Sequence, residues 1–219
     1  MFEEITEADR LALDKILKAR RSVRSFSPIP PDRREVEEII RAGLIAPYAS
    51  IPAKGKPDFR KLFVVSTKSQ SMGEVTSFLR QTSGSFLLEM RDHAGTDSPK
   101  DESARSLTVS HLFGNAPYLV IAAERKGFPP TYMADQSISL SYCMYNMWLK
   151  AVSLRIGFRL LSIFVHLKLG SDKAFCEFLG IPVGEYAVDA CVLGYPAETY
   201  KASRVAYPAF ESSVRWMDE

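Results

Sequence analysis

Apolar residues recur along this chain with two periods, one helical and one extended, and the switches between them predict the elements. The string Thr6-Glu7-Ala8-Asp9 is a capping box, and Leu13, Ile16 and Leu17 follow at helical spacing. A second box, Asp32 with Glu35, opens a helix whose Val36, Ile39, Ile40, Gly43 and Leu44 share one face until Ala46-Pro47 ends it. Lys61 to Ser66 and Tyr118 to Ala123 read as short buried strands. Between them lie helical stretches at about 68–92 and 102–113, the second broken by Asn115-Ala116-Pro117. The longest element, Tyr132 to Ile156, carries Ile138, Tyr142, Tyr145, Leu149, Val152 and Ile156 as one stripe, while Met144, Met147 and Trp148 make much of the remainder apolar. A helix apolar around most of its circumference is buried on more than one side, at a domain centre or a subunit interface.

Downstream, the apolar run Leu160 to Leu167 reads as a buried strand or core helix. A small helix capped by Ser171 and stopped by Gly180-Ile181-Pro182 follows, then a strand from Ala187 to Leu193. Residues 47–60, with three prolines and one glycine, form a loop, and the hydrophilic residues 93–103 a mobile loop or lid. The tail, 197–219, has few periodic apolar positions and is expected to lie across a surface. Few strands interspersed with many helices argue an α+β fold.

At 219 residues the chain is expected to form one domain spanning 1–219. Its 46% hydrophobic and 25% charged residues exclude disorder and coiled coil. A net charge of +2 argues against nucleic acid as the main partner. Cys143, Cys176 and Cys191 lack CxxC spacing and sit among apolar neighbours, as small core residues in a reducing compartment do. The acidic start is unlike a signal peptide, and the longest apolar run falls short of the roughly 20 residues a bilayer requires. A cytoplasmic protein with no membrane partner is expected.

Chemistry is concentrated in few places. Neither GxGxxG nor GxxxxGK[ST] occurs, and no GxSxG elbow. His93, His111 and His166 are scattered without a ligand set, so no metal is expected. Arg20-Arg21-Ser22-Val23-Arg24-Ser25-Phe26 stands apart, with three guanidiniums and a hydroxyl where a helix gives way to extended chain. Alternation puts Ser22 and Arg24 on one side. Arginine suits bidentate grip on a phosphate, yet the same residues also complement a helix C-terminal dipole from solvent. Spacing alone leaves both readings open.

The order RRSVRSF, a capped helix ending in APYAS, a buried strand, and then GIPVGEYAVDACVLGYPAE with a downstream arginine resembles the nitroreductase-like flavoproteins. The resemblance runs from about Lys18 to about Trp216. It implies an α+β nitroreductase-like fold, a small mixed or antiparallel sheet flanked by helices, in an intertwined homodimer whose main contact is the long apolar helix. It also implies FMN as cofactor and NADH or NADPH as co-substrate. Arg20, Arg21, Ser22 and Arg24 match the motif that holds the FMN phosphate and ribityl chain. Arg204, with Lys201 beside it, matches the C-terminal basic position on the same phosphate. Pro47, Tyr48, Ala49, Ser50 and Ile51 match the loop that the partner subunit lays along the flavin, and Leu160, Leu161, Ser162 and Ile163 the segment at the ring's edge.

Two departures stand in the partner loop: Ile51 where the family has an Asn, and Ala53 where it has a Gln. Lys54 or Lys56 could supply a donor there instead, with positive charge suited to a reduced flavin. Arg155 and Arg159, bracketing Gly157 near the same edge, either guide an anionic substrate or are simply solvated. The activity implied is ping-pong hydride transfer from NAD(P)H to an electron-poor small-molecule acceptor, a nitroaromatic, quinone or similar. The reaction falls to flavin N5, and no catalytic side chain is implied. The departures motivate an alternative, a flavin-binding carrier or sensor on the same fold without turnover.

Overall fold

The computed structural model describes residues 4–48, 58–93, 113–126, 133–161, 163–198 and 207–217. Both capping boxes form. Thr6 caps α1 (Glu7–Ala19) in reciprocal hydrogen bonds with Asp9, and Asp32 caps α2 (Arg33–Leu44) with Glu35. The remaining elements are β1 (Arg60–Ser66), α3 (Gln70–His93), β2 (Tyr118–Arg125), α4 (Met133–Ser153), β3 (Gly157–Leu160), α5 (Ile163–His166), α6 (Lys173–Leu179), β4 (Tyr186–Gly194) and α7 (Phe210–Ser213). The run Leu160 to Leu167 is thus neither one strand nor one helix. It takes in the last residue of β3 and the short α5. The cap of α6 is Asp172 rather than Ser171, because its carboxylate accepts from the Phe175 amide at 2.8 Å.

The four strands form one sheet in the order β1-β2-β4-β3, every neighbouring pair antiparallel. Alternation along β2 and β4 sends side chains into two cores. Leu119, Ile121, Ala123, Val188, Ala190 and Val192 face α3 and α6. Val120, Ala122, Cys191 and Leu193 face α2 and α4. Ile39 of α2 lies fully buried in that second core, and its truncation to Ala costs about 2–5 kcal/mol. Helices α2 and α4 approach closely at Gly43, where an added Cβ would stand 2.7 Å from the Met147 side chain.

Helix α4 covers the sheet with Leu140, Cys143, Met144, Met147 and Ala151. The stripe Ile138, Tyr142 and Tyr145 points the other way, each more than two-fifths exposed. Helix α1 buries none of its residues, leaving Leu11 and Leu13 exposed. The described part of the tail, with Tyr207, Phe210, Trp216 and Met217, is exposed as well. Among the described residues no helix is long and apolar enough to cross a membrane. The stretch 102–112 and the loop or lid beyond His93 lie outside the described residues.

Candidate functional site

Ser22 and Val23 lie against the free edge of β3, and Ser25 to Ser27 run on beside Gly114 and residues 195–197. Ser22 bridges Phe158 in parallel, and Phe26 bridges Pro196 in antiparallel sense. Backbone bonds fasten the segment: Val23 N–H to Phe158 O at 3.0 Å, Phe26 N–H to Gly114 O at 2.9 Å, and Ser27 N–H to Tyr195 O at 2.8 Å. Val23 and Phe26 enter the core, Ser22 is half-buried between them and the helix, and Arg24 is exposed. Ser22 and Arg24 thus stand apart from buried Val23, as alternation requires. Gly114 makes room for this crossing. Its φ is +56°, and a Cβ there would meet Arg24 O at 2.2 Å.

The arginines divide the work. Arg21 satisfies the plainer reading of the motif, since its Nη1 donates to the carbonyls of Lys18 and Arg20 at 2.7 Å each and so caps the end of α1. Arg20 turns inward over α4, its guanidinium 4.6 Å from the Trp148 ring and 5.7 Å from that of Tyr145. Trp148 stacks on Phe158 at 5.2 Å and donates its indole N–H to Arg21 O. The Nε atoms of both Arg20 and Arg21 are buried without a hydrogen-bond partner. Arg159, half-buried on β3, is lowered in pKa by burial and then by the Arg24 charge beside it.

The second expected patch is elsewhere. Pro47 is exposed and its carbonyl accepts from Arg60 Nη2 at 3.2 Å. Tyr48 donates its hydroxyl to Arg125 O at 2.8 Å and packs its ring 4.7 Å from Phe59. This corner holds the Arg60 end of β1, whereas residues 20–24 sit beside β3 at the Gly194 end of β4. The two lie three strand spacings and the length of β2 apart, on the order of 25 Å. Leu160 is exposed at the end of β3, and Leu161 and Ile163 are buried. Ala49, Ser50, Ile51, Ser162, Lys201 and Arg204 lie outside the described residues, as do Ala53, Lys54 and Lys56.

Charges within the core went unnoticed in the sequence. Arg60 and Glu124 are almost wholly buried and meet in a double contact, Nε to Oε2 and Nη2 to Oε1 at 3.0 Å each. Burial nevertheless leaves the Glu124 carboxyl raised in pKa, against the pull of Arg60. Asp189 is buried on β4, accepts from the Ala190 amide at 2.8 Å, and is pushed up by burial to about 7. Asp189 interrupts the apolar run of β4, which was the available signal, whereas Glu124 only follows the run of β2. Among the described residues no group of three His, Cys, Asp or Glu could hold a metal.

The model of the nitroreductase family matches residues 17–195, and the chain belongs to that family. The fold is similar to a nitroreductase with bound FMN from Bacteroides fragilis, at TM-score 0.67 and 20% identity, covering 93% of this chain and 98% of that one. A nitroreductase with bound FMN from Desulfitobacterium hafniense gives 0.65 and 20%, covering 94% and 98%. A BluB-like flavoprotein from Clostridium difficile gives 0.66 and 18%, covering 93% and 98%. A search of curated proteins gives no match.

The donor set fits the phosphate of FMN. A buried guanidinium nitrogen without a partner is costly, and an oxyanion is the group that removes that cost. Of the three such nitrogens among the described residues, those of Arg20 and Arg21 lie in consecutive residues with the Ser22 hydroxyl next in sequence, and the third is Arg125 Nε at the end of β2.

Proposed function

We propose that this chain is an FMN-dependent NAD(P)H oxidoreductase that acts as a homodimer in the cytoplasm, each subunit a single FMN-binding domain. Its second substrate is an electron-poor small molecule, a nitroaromatic, quinone or similar, reduced in ping-pong turnover. The observation that carries the reading is the pair of buried, unpartnered arginine nitrogens at Arg20 and Arg21 in a chain of the nitroreductase family. When bound, FMN would supply the redox chemistry between reduced nicotinamide and the acceptor.

The protein's own part is anchoring and shielding. Arg20, Arg21, Ser22 and Arg24 hold the phosphate and ribityl chain, joined by Arg204 with Lys201 beside it. Leu160, Leu161, Ser162 and Ile163 border the ring. Residues 47–51 of the partner subunit close over it. The separation of residues 20–24 from Pro47 and Tyr48 supports the dimer, because one copy cannot bring both patches to one cofactor. The outward apolar stripe of α4 and the bare face of α1 support it too, since both leave large apolar side chains in water.

The purified protein is expected to be a yellow dimer whose visible absorbance bleaches on anaerobic mixing with NADH or NADPH. A colourless protein that takes up no added FMN overturns the reading. A flavin that stays oxidised with both nicotinamides favours the carrier or sensor instead.

A further inference from the structure

The C-terminal end of α2 and, beyond it, Ala46 and Pro47 are held by a single buried side chain. Arg60 Nη1 donates to Gly43 O and Ala46 O at 2.8 Å and to Leu44 O at 3.4 Å, and Nη2 donates to Pro47 O at 3.2 Å. The other edge of the same guanidinium grips Glu124. A helix ends with its last carbonyls unsatisfied, and here the bonds to Gly43 O and Ala46 O are buried. One planar fork satisfies the carbonyls of Gly43 and Ala46, while the Glu124 carboxylate, fixed on a central strand, holds the fork in place. Lysine cannot do this, having one nitrogen where five donors are in use around a plane.

We propose that Arg60 is a positioning residue for the flavin site, setting through Pro47 and Tyr48 the surface that this subunit lays against the cofactor of its partner. The inference rests on the flavin reading above and concerns how Pro47 and Tyr48 are held. Pro47 is bonded to Arg60 directly, and Tyr48 is fixed by its hydroxyl to Arg125, the residue after Glu124. Position is thus passed from β2 to Pro47 and Tyr48.

The test uses the full-length protein. In Arg60→Lys, hydrogen exchange at the amides of Leu44, Ile45, Ala46 and Tyr48 should accelerate in the flavin-free protein while β2 and β4 stay protected. The FMN dissociation constant should rise about tenfold or more. Because Arg60→Lys risks poor folding, an Arg60→Met, Glu124→Leu double variant removes both charges and keeps an apolar core. It should show the same two changes. Leu79→Ala, a core truncation on α3, gives a comparable loss of Tm with unchanged FMN affinity. Exchange at residues 44–48 unaltered by both Arg60 variants overturns the proposal. So does unaltered FMN affinity in those variants when the wild type binds FMN. Wild-type protein that binds no FMN fails differently, overturning the proposed function and this inference together.

Discussion

The guanidinium of Arg20 rests 4.6 Å from the centre of the Trp148 ring, and Trp148 in turn stacks on Phe158, the β3 residue that pairs with Ser22. The segment Arg20–Phe26 is thereby braced against the long helix. Replacing Arg20 by Ala should weaken FMN binding by about 1.5–3 kcal/mol, tenfold to a hundredfold in dissociation constant. Trp148→Leu keeps the charge and loses the ring, a cation–π loss of about 0.5–2 kcal/mol. Fluorescence-quenching titration with FMN measures both. An Arg20→Ala, Arg204→Ala double variant that binds FMN as tightly as wild type counts directly against this motif as the phosphate site.

Gly114 offers a test from the other side of the same segment. Any side chain there meets the Arg24 carbonyl and must also adopt a left-handed φ of +56°. The backbone conformation alone costs about 1–2 kcal/mol. Gly114→Ala is expected to lower Tm by several degrees, at about 2–4 °C per kcal/mol for a chain of this size. It should also weaken FMN binding, because Arg24 can escape the clash only by moving the strand that carries it. A variant whose Tm falls while FMN affinity holds shows that Arg24 does not need that position.

Local signals explain which parts could be read in advance. Thr6 with Asp9 and Asp32 with Glu35 set two helix starts by chemistry confined to four residues. Tyr118 to Ala123 announced a strand by its unbroken apolar run, and the real β2 runs on to Arg125 because Glu124 is neutralised by a partner 64 positions away in sequence. Nothing near Glu124 could reveal that. The stripe of α4 shows the opposite failure. Its periodicity was visible, but Ile138, Tyr142 and Tyr145 face outward while Leu140, Cys143 and Met147 face the sheet. In a helix apolar on all sides, period alone does not say which side meets the rest of the chain. Within the candidate site, Arg20 and Arg21 stood out as a basic cluster at a helix end, but their separate contacts depend on where the α1 terminus and Trp148 lie.

The cysteines should be chemically silent in the native protein. All three are buried. Burial pushes the Cys143 thiol up to about 12 and raises Cys176 and Cys191 as well. Thiolate, the reactive form, is therefore scarce at neutral pH. An aromatic disulfide reagent at pH 8 should report no thiol on the folded protein and all three after denaturation. Rapid labelling of the native protein would mean that one of these sites opens readily.

Asp189 makes stability depend on pH in a direction opposite to that of a salt-bridged carboxylate. Its pKa rises from 3.8 to about 7 in the folded chain, with burial the main cause and the Ala190 amide opposing it. Between those values the folded state keeps a proton that the unfolded state has released. Stability therefore falls as pH rises through that window and levels off above it. The loss is on the order of 4 kcal/mol at pH 8. Glu124, raised in the same sense, adds to the trend. Asp189→Asn imitates the protonated acid, and its Oδ1 can still accept from the Ala190 amide. Wild type and variant should melt at similar temperatures near pH 4 and separate progressively towards pH 8, where the variant is the more stable by about 8–16 °C. Thermal melts at intervals of one pH unit decide the matter, and parallel curves across that range would show that Asp189 is ionised in the folded core throughout.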